Sequence, residues 1–191
     1  GKIKIIEESV DSDIQQNSIE LLESYGYKRY EISNFAKDGQ QSVHNLNYWK
    51  MGSYAGIGPS AASTLISSDG PVRIENKRSI SAFLAEKSFN NRIDFEYLKP
   101  DSFLLEHLMM GFRLINGVDK EHINCVFNLN IENYLEPVLD RWQGMLKTGE
   151  NYIYLTEEGF SVLNPFLVDI ASLIDSNTKD ISGKEINWPI E

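Results

Sequence analysis

Residues 103–115 read Phe-Leu-Leu-Glu-His-Leu-Met-Met-Gly-Phe-Arg-Leu-Ile, and this stretch decides the fold class of the second half of the chain. Its apolar residues recur three and four positions apart, which predicts an amphipathic helix. Asp101 is predicted to cap this helix and Gly117 to end it. A second helix is predicted over Lys120–Phe127. A third predicted helix has apolar residues at Ile131, Tyr134, Leu135, Val138, Leu139, Trp142, Met145 and Leu146.

The residues after the third predicted helix complete the prediction of a winged-helix-like module over residues 97–175. Pro137 disfavours a helix interior, so the third helix is predicted to begin near it, and Gly149 to end it. Tyr152–Leu155 is predicted as a strand, and Thr156 as the cap of a last helix that runs through Leu163. Residues 176–191 are predicted to be a polar tail.

The first half of the chain, residues 1–96, is predicted to be an α/β unit. A helix capped by Asp11 or Asp13 and stopped by Gly26 precedes an alternating stretch, Tyr27–Ser33, which is typical of a strand. This order is the second half of a βαβ unit whose first strand is missing or is only Ile3–Ile6. The further predicted elements are strands over Ala61–Ile66 and Val72–Ile74 and a helix over Ile80–Ala85.

Composition excludes several classes of protein. The 191 residues are 41% hydrophobic and 24% charged, as in an ordinary globular protein. No apolar run is long enough for a membrane span, and the first residues do not resemble a signal peptide. The single cysteine, Cys125, predicts a reducing, cytoplasmic setting without disulfides. Residues 96–191 hold seven basic and sixteen acidic side chains, so no nucleic-acid partner is expected.

Residues 34–60 are polar and glycine-rich and are predicted to form a long functional loop. Within it, His44-Asn-Leu-Asn-Tyr-Trp49 gathers an imidazole, two amides, a phenol and an indole. Such a cluster suits a planar, partly polar ligand, and His44 could ligate iron. A buried aromatic anchor with polar caps is an equally good interpretation of the composition.

Gly56-Ile-Gly58-Pro-Ser60 could let the backbone approach a phosphate, but a plain tight turn is favoured because the third glycine of a dinucleotide motif is absent. A nucleotide-dependent enzyme is therefore only a third interpretation of the chain.

Other polar residues have ordinary structural explanations. His122 and Cys125 lie three apart on a predicted helix, and two ligands are too few for a metal site. His107 is predicted at a helix surface or core edge. Arg73 and Asn76 could bind an anion or close a turn, and the turn is favoured. For Glu106 and Arg113, an ion pair within the helix or between domains is predicted.

Several stretches together resemble one family. They are Tyr25-Gly-Tyr, Tyr30-Glu-Ile-Ser-Asn-Phe-Ala36, His44-Asn-Leu-Asn-Tyr-Trp49, Tyr54-Ala-Gly-Ile-Gly-Pro-Ser-Ala61, Arg73-Ile-Glu-Asn76, Glu106-His-Leu-Met-Met-Gly-Phe-Arg113, Gly117-Val-Asp119 and Leu155-Thr-Glu-Glu-Gly159. They resemble the oxygen-independent coproporphyrinogen III oxidase-like radical SAM family, and His-Asn-x-x-Tyr-Trp resembles its haem-chaperone (HemW-type) branch. The resemblance covers about residues 14–165.

The resemblance implies a fold and a set of cofactors. Residues 1–96 would be the C-terminal part of a partial (β/α) radical SAM barrel, and residues 97–175 the small helical C-terminal domain. The intact protein would bind S-adenosylmethionine, a [4Fe–4S] cluster and haem or porphyrin. The family's Cys-x-x-x-Cys-x-x-Cys motif is not in this chain, so we expect it to be the C-terminal part of a longer protein that supplies the missing barrel strands. A naturally truncated paralogue is the alternative.

The resemblance also implies site residues. Asn45, Asn47 and Trp49 would line the barrel mouth, and Gly56, Gly58, Ser60 and Ala61 would lie against S-adenosylmethionine. His44 and Tyr48 would contact haem. Many relatives have histidine where this chain has Ala62, which implies weaker haem binding if that histidine is a ligand.

Two functions from different classes follow. The first is part of a haem chaperone or coproporphyrinogen-oxidase-like enzyme, in which this chain alone would be inactive and bind no cofactor tightly. The alternative is a winged-helix protein-interaction module with a flanking α/β segment.

Overall fold

The computed structural model describes residues 7–85, 93–177, 181 and 186–187. Its elements in chain order are α1 (Glu8–Ser24), β1 (Lys28–Arg29), β2 (Phe35–Ala36), α2 (Val43–Trp49), β3 (Ala62–Ser67), β4 (Gly70–Asn76), α3 (Ile80–Ala85), β5 (Ile93–Tyr97), α4 (Pro100–Gly111), β6 (Val118–Asp119), α5 (Lys120–Phe127), α6 (Ile131–Arg141), β7 (Leu146–Thr148), β8 (Tyr152–Leu155), α7 (Glu157–Ser161) and α8 (Leu163–Ser176).

The first half contains two small antiparallel sheets. β1 pairs with β2, and β3-β4-β5 form the second sheet. The described strands therefore do not show the expected βαβ unit, and the proposed first strand, Ile3–Ile6, lies outside the described residues. The predicted strand Tyr27–Ser33 shortens to β1 because the Glu31 carboxylate accepts a hydrogen bond from the Ser33 amide at 3.0 Å, which turns the chain.

The second half has the winged-helix-like order of elements. α4 leads into β6, α5 and α6 follow, and the hairpin β7–β8 returns to pair β8 with β6, so that the sheet order is β6-β8-β7. The bounds of α5 and β8 agree with the sequence prediction. The prediction of a mixed helix-and-sheet fold with a winged-helix-like module is confirmed.

The main core lies in this module. Four phenylalanines are completely buried: Phe103 on α4, its C-cap Phe112, Phe127 on α5 and Phe166 on α8. The rings of Phe112 and Phe166 meet edge to face with centroids 4.8 Å apart, which holds α8 against α4. Burial of such a side chain contributes about 1.5–3 kcal/mol.

Several predicted helix ends are wrong. Lys99 is the N-cap of α4, so Asp101 lies in the first turn, and α4 ends at Gly111, before Gly117. Glu7, rather than Asp11 or Asp13, precedes α1.

The two C-terminal helices also differ from the prediction. α6 begins at Ile131, contains Pro137 and ends at Arg141, before Gly149. Thr156 caps α7 as predicted, its hydroxyl accepting from the Gly159 amide. The chain then continues in α8, which was not predicted.

Among the described residues, no helix is long and apolar enough to cross a membrane. The predicted polar tail over 176–191 lies mostly outside them. Of its described residues, Ile181 is completely buried, and the Asn187 amide donates to the Val126 carbonyl at 3.1 Å. The domain boundaries at 96/97 and 175/176 stay predictions.

Candidate functional site

The segment predicted as the centre of a long loop is a helix, α2. Ser42 caps it, because its hydroxyl accepts a hydrogen bond from the Asn45 amide. The helix presents the exposed His44 and the half-buried Tyr48 four residues apart, on one face. Trp49 and Leu46 both line an internal cavity described below. The sequence analysis did not predict this division of α2 into a solvent-facing side and a cavity-facing side, because the segment is rich in polar residues.

His44, Tyr48 and Tyr54 form an aromatic row. The His44 ring meets the edge of Tyr48 with centroids 4.8 Å apart. The centroids of Tyr48 and Tyr54 are 4.5 Å apart. The row therefore places an exposed imidazole at the end of two tilted phenol rings, and such aromatic groups can contact a flat ligand.

A cavity of about 360 Å³, the histidine cavity, lies between α2 and the C-terminal module. It is lined by Tyr30, Gln41, Leu46, Trp49, Lys50, His107, Gly111, Leu114, Asn116, Gly117, Val118, Asp119, His122, Ile123 and Tyr152. Polar and aromatic side chains from both halves of the chain therefore meet at one place. Its volume is in the range of small-molecule sites.

His107 is the most perturbed titratable group in the described part of the chain. It is 5% exposed, and its Nδ1 lies 3.0 Å from the Phe103 carbonyl oxygen, to which the neutral ring donates. Burial lowers the pKa of His107 to about 4. Its Nε2 is buried and has no hydrogen-bond partner among the described residues. The ring is therefore a neutral imidazole with an open nitrogen. Its burial beside a cavity agrees with the predicted core-edge position and not with the helix surface that was the other prediction.

His122 stacks on His107 with ring centroids 5.7 Å apart. Burial lowers the pKa of His122 as well, and Asp119 opposes this shift. His122 and Cys125, which were judged too few for a metal site, line different cavities. Cys125 is exposed and lines a different groove, and no group of metal-binding side chains occurs within the described ranges.

A second cavity of about 430 Å³, the arginine cavity, lies on the other side of Trp49. It is lined by Tyr48, Trp49, Met51, Gly52, Tyr54, Thr64, Arg73, Glu106, Met109, Met110 and Arg113. Arg73 pairs with Glu106 through Nη2 and Oε2, 2.6 Å apart. Glu106 therefore joins the two predicted domains, whereas Arg113, which follows the C-cap of α4, donates to the Met109 carbonyl of that helix.

Backbone contacts explain the glycine-rich turn. A side chain at Gly56 would place Cβ 2.2 Å from the Ala62 carbonyl oxygen. The Gly56 amide donates to the Ser63 hydroxyl at 2.9 Å, and the Asn76 amide side chain donates to the Gly58 carbonyl at 2.7 Å. Asn76 thus closes this turn.

The other predicted residues of this region also have protein partners. The Asn47 side chain donates to the Ser53 carbonyl at 3.0 Å. The Ser60 and Ala61 amides donate to the carbonyls of Lys77 and Gly58 at 3.2 and 3.3 Å. All of these contacts are within the protein. That the loop from Asn45 to Ala61 binds a cofactor therefore stays a prediction.

Part of the chain matches a known protein family. Residues 98–162 match the family described as the HemN C-terminal domain. Residues 98–162 are therefore assigned to the HemN C-terminal domain. The solved structure of coproporphyrinogen III oxidase (HemN) from Escherichia coli, described as a radical SAM enzyme, aligns with a TM-score of 0.64 over 90% of this chain and 42% of that chain. At 17% identity this likeness shows the fold alone.

Curated relatives extend the match beyond the HemN C-terminal domain. The heme chaperone HemW of Escherichia coli (strain K12) is 34% identical over 159 residues, 81% of this chain and 41% of that protein. The heme chaperone HemW of Lactococcus lactis subsp. lactis (strain IL1403) is 29% identical over 175 residues, 88% of this chain and 45% of that protein. The resemblance stated from the motifs is confirmed. The chain spans less than half the length of these relatives.

The structure distributes the predicted site residues over several places. His44 and Tyr48 lie in the aromatic row, Trp49 lies between the two cavities, and Asn45, Asn47 and the Gly56–Ala61 turn lie outside the histidine cavity. Sequence reasoning missed the stacked pair of His107 and His122. These two residues are fifteen positions apart on separate helices, and neither motif nor spacing marks them as partners.

Proposed function

We propose that the chain is the C-terminal part of a radical SAM, coproporphyrinogen III oxidase-like haem chaperone, and that haem binds at the aromatic row. The observation that carries the proposal is the exposed imidazole of His44 at one end of that row, beside the rings of Tyr48 and Tyr54. Imidazole is an ordinary axial ligand of haem iron, and aromatic faces suit the macrocycle. The similarity to proteins named HemW supports the same ligand.

The residues of this chain do not fit the [4Fe–4S] cluster of the family. Such a cluster needs several thiolates, whereas the chain has one cysteine, and that cysteine is exposed in the C-terminal module. The cluster would therefore be held by residues outside this chain. S-adenosylmethionine is proposed to lie against the Gly56–Ala61 turn in the intact protein, where nothing lies within 4 Å of a Cβ added at Gly58.

The first test is to replace His44 by alanine in the longer protein that contains this chain. We expect the affinity for haem to fall at least tenfold and the Soret band to shift, because the iron loses an imidazole ligand. The melting temperature should change little, since His44 is exposed and alanine favours a helix. Haem titration followed by absorbance, with a parallel thermal melt, measures both quantities.

Val43→Ala is the control, because Val43 is 82% exposed on the same helix and lies beside His44. It should leave both the spectrum and the affinity unchanged. An unchanged Soret band and affinity in His44→Ala would remove His44 from the haem site. A loss of stability with an unaltered spectrum would make His44 a structural residue.

A further inference from the structure

The arginine cavity has an unusual number of hydrogen-bonding groups without partners. The Thr64 hydroxyl, the Arg73 Nε and the Trp49 Nε1 are all buried and have no hydrogen-bond partner in the described part of the chain. All three residues line the cavity. A buried donor left unpaired is destabilising, so a ligand group that accepts hydrogen bonds from these donors would be bound favourably.

The geometry of the sheet gathers two of these groups. Thr64 on β3 lies directly opposite Arg73 on β4 in the antiparallel register, so their side chains share one face. Thr64 is only 2% exposed. The hydroxyl and the guanidinium therefore approach the same side of the cavity from neighbouring strands.

The charge of the cavity favours an anion. Glu106 is already paired with Arg73. Arg113 contributes a second guanidinium, the pKa of which is lowered by burial, and no carboxylate pairs with it among the residues that the structure describes. Two cations face one carboxylate, and the surplus positive charge is partly removed from water, where an incoming anion gains most.

The remaining walls are apolar and aromatic. Met109 and Met110 lie on α4, three and four residues after Glu106, and line the cavity on the same side of the helix. Tyr48 and Tyr54, which belong to the aromatic row, close the other side. A ligand that lies on the row would thus meet the cavity at its edge.

We propose that the arginine cavity binds a carboxylate carried by an aromatic body, through the Thr64 hydroxyl and the guanidinium groups of Arg73 and Arg113. This inference deepens the proposed function. It rests on that function for one statement, namely that the bound carboxylate is a propionate group of the haem. A free aromatic carboxylate has the same chemistry, and the two sources are separated by the test.

The test compares haem with haem dimethyl ester, which lacks the free carboxylates. The variants are Thr64→Val, which removes an unpaired hydroxyl at nearly constant volume, and Arg73→Lys, which keeps the positive charge beside Glu106. Both should fold, because the Thr64 hydroxyl has no partner in the described part of the chain and a lysine ammonium can still pair with the Glu106 carboxylate in place of the Arg73 guanidinium. Thr148→Val in the other sheet is the matched control, since Thr148 is exposed on β7.

We expect the unmodified protein to bind haem at least tenfold more tightly than the ester. Each variant should lower the haem affinity about tenfold and leave the ester affinity unchanged, because a hydrogen bond to a charged group is lost. The control should bind both ligands normally. If haem binds but esterification and both variants have no effect, the carboxylate site is refuted while the proposed function stands.

A second arm does not depend on haem. 1-Naphthoate and its neutral amide are titrated into the same variants, with the shift in melting temperature as the measurement. The site is supported if the naphthoate binds and the amide does not, and if the naphthoate binds more weakly to Thr64→Val and Arg73→Lys but normally to Thr148→Val. This result supports the site even where haem fails to bind. If neither haem nor naphthoate responds to the variants, the inference is overturned.

Discussion

Replacement of Gly117 by alanine is expected to lower the melting temperature by about 10 °C. Gly117 has φ +75°, and an added Cβ would lie 2.1 Å from the Ile153 carbonyl oxygen and 2.6 Å from the Tyr154 Cα. A positive φ costs alanine about 1–2 kcal/mol. The contact with backbone atoms cannot be relieved by a side-chain rotation, so the total loss should exceed about 3 kcal/mol. Thermal unfolding followed by circular dichroism measures it.

Gly144→Ala is the matched control for Gly117. Gly144 also has a positive φ, +87°, but nothing lies within 4 Å of its added Cβ. Only the backbone strain remains, and the melting temperature should fall by about 3 °C. Equal losses in the two variants would show that the packing of β8 over Gly117 tolerates a methyl group.

Acid should destabilise the protein through His107. The unfolded imidazole has a pKa near 6.5, whereas burial lowers the pKa of the folded His107 to about 4. Between these values the unfolded chain binds the additional proton, so the free energy of unfolding falls as the pH falls. The loss from pH 7 to pH 4 should reach about 3 kcal/mol. His122 adds to it in the same direction.

Urea unfolding at several pH values, compared between the unmodified protein and His107→Leu, isolates this contribution. The carboxylates titrate in both proteins, so the difference between the two profiles reports on His107 and the ring stacked on it. We expect the variant to gain about 3 kcal/mol relative to the unmodified protein on going from pH 7 to pH 4. Parallel profiles would mean that His107 accepts a proton in the folded state.

The elements that local patterns specify were predictable. α5 begins where the Asp119 side chain can cap it, and β8 alternates between exposed and buried residues. The apolar residues Leu163, Phe166, Leu167, Ile170 and Ile174 carry the same helical signal in α8, although the sequence prediction ended the last helix at Leu163. Pro165 lies in the first turn of α8. Proline is tolerated in a first turn.

Elsewhere, tertiary contacts override local preference. Pro137 lies inside α6 because Ile131 and Leu135, both completely buried, hold the turns before it in the core. In α2 the cap at Ser42 was the usable sequence signal, and the polar composition concealed it. The candidate site was predicted only in part, since the contacts of His107 with His122 and of Arg73 with Glu106 join residues that no local pattern connects.

Trp49 has a consequence for how such a protein can evolve. Its indole forms part of the wall of both the histidine cavity and the arginine cavity. It is a pleiotropic position, because any substitution there alters the volumes of both cavities at once. A change of ligand preference in one cavity is therefore expected to proceed through the outer walls, at His122 on one side or Thr64 on the other. The two cavities can diverge independently only while the tryptophan between them is retained.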